Sequence, residues 1–455
     1  MNLIQYITPF LFTVGLFSQE NLNRLGPDDW PSWRGPSYNG SASGQSLLPT
    51  DFGPENSIKW KVSLPGPSAA TPIIVNGKVF ISSISESEDP NEKGKGELLA
   101  LCFDREEGTL LWQRSAGSGY RPSGDGYDFL LHNKSNYASP SPVSDGKNVI
   151  YFYGNGDLVS YSFKGVENWR RNLQQDYGDF CFQWTFSSSP TLYNGKLYLP
   201  ILQRNEPVHG RGVSNATSFL LCMNPEDGTT IWKHDRPSDA KKESLESFGT
   251  IIPHRGQLVV AGGDVLTGHD PLSGKELWRW GTWNENHKQE WWRLVPSPVF
   301  GGGVFLVCAP KKAPVFAIKS DLVGTHSGSR GVVWKSKEQG NLTSDVPTPL
   351  FYEKRFFLLS DLRKTLSKVN PRNGDVEWSL ALPGKYKWRS SPTGGGGVIY
   401  LMNHHGEVLV ISSQLGKVLN SAKLGSKYED NVRSSVAISK GQLFVRTNEN
   451  LYCID

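Results

Sequence analysis

A glycine followed four residues later by a tryptophan recurs along this chain of 455 residues. The spacing occurs five times, at Gly108–Trp112, Gly165–Trp169, Gly228–Trp232, Gly274–Trp278 and Gly374–Trp378. Two looser copies extend the series, at Gly331–Trp334 and Gly416–Asn420. A repeated structural unit therefore constrains the fold more than any other feature, because units of this size bury their hydrophobic faces only against one another.

A second mark divides the chain into eight units. It is a serine or threonine, usually followed by proline, and we call these residues the anchors: Thr71, Ser139, Ser189, Thr250, Ser297, Thr348, Ser391 and Ser435. A glycine follows most anchors six residues later, with Lys354 as a substitute in one unit and Gly146 one place late in another. This pattern predicts a strand, a tight turn and a second strand in constant register.

The length of the unit predicts the architecture. From anchor to tryptophan, or to Asn420, the distance is 28–30 residues in four units and 41, 43 and 37 in three others. We assign the extra residues to loop insertions at Ser83–Gly96, Arg204–Ala216 and Lys311–Gly331. A unit of four short strands predicts a propeller blade. The last unit lacks its outer strand, and Ser57–Leu64 resembles one.

The sequence therefore predicts an all-β fold. We expect a single eight-bladed β-propeller of four-stranded antiparallel blades over residues 57–455, closed by the N-terminal strand pairing into the last blade. The composition agrees, since 48 glycines, 29 prolines and 15 tryptophans stand against 3 methionines. Basic and acidic residues number 48 and 44, without long runs of one sign, so we expect no nucleic-acid partner.

The first 56 residues lie before the predicted ring. Residues 1–19 contain an apolar run, Ile7–Phe17, too short to span a bilayer, and we interpret them as an export signal. A disordered or membrane-associated tail is the alternative, because no Lys or Arg precedes the run. Residues 20–56 are rich in Gly, Pro and Ser and predict an irregular segment over the ring. No later window predicts a transmembrane segment, and we expect an exported monomer, periplasmic or extracellular.

The repeated tryptophans are predicted to be structural. They occupy outer strands, where a large ring packs between blades: Trp60, Trp112, Trp169, Trp232, Trp278, Trp334 and Trp378. The alternative is a row of binding platforms.

The repeat resembles that of the pyrroloquinoline-quinone (PQQ) enzymes. The pattern runs from a Ser-Pro strand through a turn and an apolar strand to Leu-x-Asp and Gly-x-x-x-Trp, as in Ser139–Trp169, and it covers Ser57–Asp455. The leader Asp29–Gly40 looks like the opening of exported PQQ-like propellers, many from planctomycete-type genomes. The family includes quinoprotein dehydrogenases and non-enzymatic members similar to BamB, so the resemblance implies the fold and leaves the activity open.

The residues of quinoprotein dehydrogenases can be sought directly. Those enzymes resemble one another in two adjacent cysteines beneath the quinone and in a metal held by Glu, Asn and Asp. Here the five cysteines are Cys102, Cys181, Cys222, Cys308 and Cys453, and none are adjacent. We predict no catalytic residues, no metal site and no cofactor, while PQQ stays open without support from a motif. Cys181, in a connecting segment, is the candidate for a reactive thiol.

The segments just before the anchors carry the candidate binding residues. Such segments lead into the innermost strands, at the mouth of the channel, and they contain Trp184, Trp292, Arg293, Asp345, Trp388, Arg389 and Arg433. Arginine beside tryptophan suits a carboxylate, a sugar or a peptide anchor, through charge-assisted hydrogen bonds and stacking. The alternative is that the tryptophans fill the channel and the arginines tie neighbouring strands together.

Three function classes follow. The first is an exported, non-enzymatic propeller that binds a protein or small molecule, neither of which the sequence identifies. The second is a divergent PQQ-dependent oxidoreductase, similar to alcohol or sugar dehydrogenases. The third is an assembly scaffold similar to BamB.

Overall fold

The strands form eight antiparallel sheets arranged as blades around a channel. The computed structural model describes residues 25–42, 44, 47–85, 96–118 and 135–455, and within these residues seven sheets have four strands and one has five. The predicted eight-bladed propeller is confirmed. The expected export signal lies outside the described residues.

Chain order and blade order coincide except for β1 (Ile58–Ser63), which belongs to blade 8, and for one strand from the blade 5 part of the chain that pairs into blade 4. The strands of each blade are given from the channel outward. Blade 1 consists of β2 (Ile73–Val75), β3 (Lys78–Ile84), β4 (Glu97–Asp104) and β5 (Leu110–Ser118), and blade 2 consists of β6 (Val143–Ser144), β7 (Asn148–Phe152), β8 (Asp157–Ser162) and β9 (Glu167–Asn172). Blade 3 consists of β10 (Thr191–Tyr193), β11 (Lys196–Ile201), β12 (Phe219–Met223) and β13 (Thr230–Asp235), and blade 4 consists of β14 (Ile252–His254), β15 (Gln257–Gly262), β16 (Val265–His269) and β17 (Glu276–Gly281).

The second half repeats the arrangement with one addition. Blade 5 consists of β18 (Val299–Gly301), β19 (Val304–Cys308), β20 (Val315–Lys319) and β22 (Val332–Lys335); β21 (Gly324–Ser327) lies between β20 and β22 in the chain but is not part of this blade. Blade 6 consists of β23 (Leu350–Tyr352), β24 (Arg355–Ser360), β25 (Thr365–Val369) and β26 (Val376–Ala381), and blade 7 consists of β27 (Thr393–Gly395), β28 (Val398–Met402), β29 (Glu407–Ser412) and β30 (Val418–Lys423). Blade 8 consists of β31 (Ala437–Ser439), β32 (Gln442–Arg446), β33 (Asn450–Ile454) and β1. Strand β21 pairs in parallel with β17 and widens blade 4.

Helices are few and short in the described part of the chain. Helix α1 spans Leu173–Tyr177 and begins after Asn172, whose side chain accepts from the backbone N–H groups of Gln174 and Gln175. Short 3₁₀ helices span Lys242–Leu245 and Glu285–His287. None of these helices has the length and apolar character needed to cross a membrane.

The ring closes through β1, which pairs antiparallel with β33 and places Trp60 opposite Cys453. A continuous circuit of hydrogen bonds at the anchors joins all eight innermost strands. At each joint the backbone N–H of one anchor donates to the hydroxyl of the next, at 2.8–3.2 Å. The closing joint runs from Ser435 N–H to the hydroxyl of Thr71, at 3.0 Å.

One predicted anchor was wrong. In blade 2 the circuit runs through Ser141, which accepts from Thr71 and donates to Ser189. Ser139 instead accepts from the backbone N–H of Asn136. Both serines precede prolines in Ser-Pro-Ser-Pro, so the two registers were equivalent in sequence. Counted from Ser141, Gly146 follows five residues later, one place early instead of one place late.

Six of the seven blade tryptophans cover a glycine of the next blade. The rings of Trp60, Trp112, Trp169, Trp232, Trp334 and Trp378 lie against Gly108, Gly165, Gly228, Gly274, Gly374 and Gly416. Each indole N–H donates to a backbone carbonyl of that blade, at 2.7–3.3 Å. These glycines have φ between 62° and 77°, where a side chain is strained. The repeated glycine and tryptophan therefore form the same inter-blade contact at successive blades.

Trp278 is the exception. Its indole N–H donates to Gln257 of its own blade, at 2.8 Å, and its backbone lies opposite Gly324 of β21. The predicted insertion at Lys311–Gly331 was correspondingly wrong in extent, because it contains the third strand β20, and the extra residues follow that strand. Spacing alone could not separate this apolar strand from the loops on both sides.

The two faces of the ring differ in the chain segments that lie on them. The connections between blades and the loops between second and third strands lie on one face, which we call the mouth face, because strands alternate in direction from each anchor. The described part of the segment 25–56 crosses the opposite face. Its bridges join Trp30 to Ile74 and Ser41 to Gly394. The guanidinium of Arg34 donates to the carbonyls of Pro349 and Pro392, at 3.1 and 2.9 Å.

Candidate functional site

The central channel forms a cup that opens on the mouth face. Its cavity has a volume of about 390 Å³. Anchor hydroxyls line its wall, including those of Ser141, Ser189, Thr250, Ser391 and Ser435. Trp33 of the crossing segment lines its closed end, and the cup's other large or charged residues are Trp184, Glu243, Phe248, Arg293, Lys311, Arg389 and Arg433.

Four of the seven predicted mouth residues meet in this cup: Trp184, Arg293, Arg389 and Arg433. Each lies in the connection that leads into an innermost strand, so the convergence follows from the topology. Trp292 and Asp345 line a second cavity on the same face, between blades 4, 5 and 6. Trp388 is completely buried and packs in the core with Leu382; its indole donates to the carbonyl of Pro383.

The run Glu-Trp-Trp-Arg shows why sequence could not sort these residues. Trp291 is 50% exposed, and the cations of Arg204 and Lys242 lie 5.7 and 5.5 Å from its ring. Trp292 lines the second cavity, and Arg293 lines the cup. Three consecutive side chains thus serve three environments because the connection is irregular and obeys no strand or helix period.

Arginine–aspartate pairs hold the connections of blades 5 to 7 together. Arg293 binds Asp345 through two hydrogen bonds of 3.0 and 3.1 Å. The backbone N–H of Asp345 donates to Asp361, which accepts from Arg389 at 2.9 Å. Burial alone would raise the pKa of Asp345, but Arg293 holds it below its usual value. These contacts match the alternative in which arginines tie neighbouring elements together.

Arg433 lies near the cation of Arg389 and near the carboxylates of Asp430 and Asp361. Burial, and then the nearby cation of Arg389, lower the pKa of Arg433 to about 10. Its guanidinium contacts the amide oxygen of Asn431, at 3.3 Å. A second cation in the cup, Lys311, has no carboxylate partner among the described residues. Against these charges the described residues of the cup lining present one carboxylate, that of Glu243, which is 7% exposed.

A buried carboxylate supports the wall that carries Trp184. Glu246 forms an ion pair with Arg204, and it accepts from the backbone N–H of Gln183 at 3.1 Å. Arg204 also donates to the side chain of Gln183, at 2.6 Å. Burial raises the pKa of Glu246 to about 7. The predicted insertion beginning at Arg204 therefore braces the residue next to Trp184.

Sequence reasoning missed Trp33, Glu243 and Lys311. Trp33 belongs to the leader motif, but nothing in the motif places it at the end of a channel. Lys311 fell inside a predicted insertion, where lysines are usually solvated. Glu243 lies in the 3₁₀ helix Lys242–Leu245, which has too short a pattern to predict.

The residues of the cup do not match the quinone and metal set that the family resemblance implies. All five cysteines are buried and unpaired, and burial raises the pKa of the Cys181 thiol, which disfavours the reactive thiolate. Among the described residues no group of three or more His, Cys, Asp or Glu side chains could hold a metal ion. Asp345 and Asp361 are engaged by arginines. The donors present suit an anion better than a cation.

Comparisons with known proteins give a family and a set of similar folds. A family model described as "Outer membrane protein assembly factor BamB" matches residues 53–199, 95–321 and 283–455. A polyvinylalcohol dehydrogenase from Pseudomonas sp is 22% identical over 344 residues, 69% of this chain. The aligned part is 48% of that dehydrogenase, so the chain spans about half its length.

Solved structures of both functional kinds share the fold. BamB from Moraxella catarrhalis is similar with a TM-score of 0.56 and 11% identity, covering 88% of this chain and 99% of that one. A europium-containing methanol dehydrogenase gives 0.64 and 10%, covering 94% and 98%. A quinohemoprotein alcohol dehydrogenase from Comamonas testosteroni gives 0.62 and 12%, covering 94% and 80%. At such identities the likeness concerns the fold alone.

Proposed function

The chain belongs to the family of PQQ-like β-propellers whose model is that of BamB, and from this premise we propose that it is an exported, non-enzymatic binding module. The proposed ligand is a compact anion with a planar or apolar body, such as an aromatic carboxylate or the carboxylate end of a peptide. The ligand would enter the cup from the mouth face. The crossing segment with Trp33 would limit its depth.

The group of cations that line the cup carries this proposal. An anion between Arg433, Arg389 and Lys311 would offset the repulsion of neighbouring cations in a partly desolvated site, where charge-assisted hydrogen bonds are strong. Trp184 and Trp33 line the cup, and their rings would stack on a planar ligand. The anchor hydroxyls add donors and acceptors along the wall.

A quinone-dependent oxidoreductase is the second candidate. It is supported by the polyvinylalcohol dehydrogenase relative and by the fold likeness to two alcohol-oxidising enzymes. A quinone cofactor is itself a planar anion, and in such an enzyme it would supply the redox chemistry. The cup's cations would hold its carboxylates, but the described residues offer no cluster for a partner metal.

Titration of the purified protein separates the candidates. We expect benzene-1,3,5-tricarboxylate and PQQ to bind without calcium, and Arg433→Gln to weaken both by about tenfold or more. Arg372→Gln removes the same charge from an exposed turn outside the cup and is the matched control. If neither anion binds, or if both variants bind equally, the anion-binding proposal fails. If PQQ binds only with calcium and the complex reduces a dye on addition of an alcohol, the oxidoreductase replaces it.

A further inference from the structure

The second cavity on the mouth face lies outside the cup and has a volume of about 930 Å³. We call it the side cavity. Its floor is apolar and includes Trp283, Trp292, Phe316 and Leu362. Both its size and its apolar floor fall in the range of sites that bury a side chain or small ligand.

Four lysines surround this floor: Lys288, Lys311, Lys312 and Lys335. All four are exposed, and none forms an ion pair with a carboxylate among the described residues. The cavity's own carboxylates are Glu285, Glu338 and Asp345, and Asp345 is already neutralised by Arg293. The rim is therefore net positive around an apolar depression.

Trp283 supplies a further observation. It lines the cavity and is 6% exposed, yet its indole nitrogen has no hydrogen-bond acceptor among the described residues. A buried donor without a partner is costly and rare. By contrast, the six blade tryptophans that cover a glycine all donate to a backbone carbonyl of another blade. The nitrogen itself is buried, so an acceptor brought by a ligand would reach it only after a rearrangement of the cavity lining.

We propose that the side cavity docks an acidic peptide segment through one bulky apolar side chain. The apolar side chain would lie on Trp292 and Phe316, and flanking carboxylates would face the lysine rim. A sugar would fit less well, because its hydroxyls would lose hydrogen bonds with water over an apolar floor. The inference goes beyond the cup, although Lys311 lines both cavities and makes them neighbours.

The test uses fluorescence anisotropy with the full chain. The probe is a labelled peptide of Asp and Glu residues with one central Phe, and its control carries Gly in place of Phe. We expect the Phe peptide to bind, to bind about tenfold more weakly when Phe is replaced by Gly, and to weaken as salt rises. Equal binding of both peptides overturns the apolar part of the proposal, and binding that is unchanged in high salt overturns the charged part.

Variants locate the site and separate it from the cup. Lys288→Glu with Lys335→Glu should weaken the Phe peptide by about tenfold or more, and Ser329→Trp should do the same by filling the rim from an exposed position. Lys417→Glu with Lys423→Glu makes the same charge change on blade 7 and should leave binding unchanged. Arg433→Gln, which tests the cup, should also leave it unchanged. If the blade 7 pair or Arg433→Gln weakens the peptide as much as the rim pair, the side cavity is not the site.

Discussion

At the scale of single residues, the glycine under each of the six inter-blade tryptophans combines two constraints that can be separated. Gly228 has φ 73°, and a methyl group added to its Cα would lie 2.6 Å from the ring of Trp169. Gly195 in the same blade has φ 68° with nothing within 4 Å. We expect Gly195→Ala to lower the free energy of unfolding by about 1 kcal/mol through backbone strain. Gly228→Ala should cost roughly 2 kcal/mol more, because the ring must move. Denaturant unfolding compares the two, and equal losses would show that the ring contact contributes nothing.

The buried carboxyl of Glu246 predicts a pH dependence. Burial raises its pKa in the folded chain to about 7, above the usual 4.5. Between these values the folded chain retains a proton that the unfolded chain has released, so the contribution of this group to stability is greatest below pH 4.5 and falls as pH rises toward 7. The slope from this group is at most about 1.4 kcal/mol per pH unit. Glu246→Gln should remove that part of the slope in denaturant midpoints measured from about pH 5 to 8, whereas surface Glu226→Gln should not. An unchanged slope in Glu246→Gln would contradict the assignment.

At the scale of the strand, the anchor circuit predicts that the hydrogen bond that closes the ring contributes as much to stability as those between consecutive blades. Thr71 accepts from Ser435 across the closure, and Thr348 accepts from Ser297 between consecutive blades, at 3.0 and 2.9 Å. Replacing either threonine by valine keeps the shape and leaves one buried N–H without its acceptor. We expect each variant to lose about 1–3 kcal/mol of unfolding free energy. A much smaller loss for Thr71→Val would mean that the closure is open in solution.

The strands were predictable because their spacing is repeated and their period is regular. Seven tryptophan or asparagine positions and eight anchors were enough to predict the blade number and the closure of the ring. The connections were less predictable, as Trp388 shows: it precedes Arg389 in the chain, yet it is buried in the core while Arg389 reaches the cup. An irregular connection has no period from which to infer direction. Ser139 and Ser141 were equally good candidates for the anchor of blade 2, because each precedes a proline. Only the hydrogen bonds of the structure show that the anchor is Ser141.

At the scale of the whole molecule, the crossing segment contributes Trp33 to the lining of the channel. Bringing Trp33 to the channel's end depends on contacts with several blades, including blades 1, 6 and 7. Long-range contacts of this kind leave no local signal in sequence. The sequence therefore predicts an irregular segment over the ring, but it does not predict which residue of that segment reaches the channel.

Arg34 holds the crossing segment to the ring. It is fully buried, and burial lowers its pKa to about 9. Its guanidinium donates to the carbonyls of Asn39 in the segment and of Pro349 and Pro392 in the ring. One side chain therefore bridges the segment and two blades, and its removal tests how the cup is closed.

Arg34→Met keeps most of the volume and removes these donors, so the segment should detach while the ring stays folded. We expect amide exchange at Trp30 and Ala42, which bond to blades 1 and 7, to accelerate by about tenfold or more, with Ser435 unchanged. Benzene-1,3,5-tricarboxylate should bind more weakly to the same variant, because Trp33 leaves the end of the cup. Unchanged exchange at both amides would mean that Arg34 does not hold the segment, and faster exchange with unchanged binding would mean that Trp33 takes no part in the site.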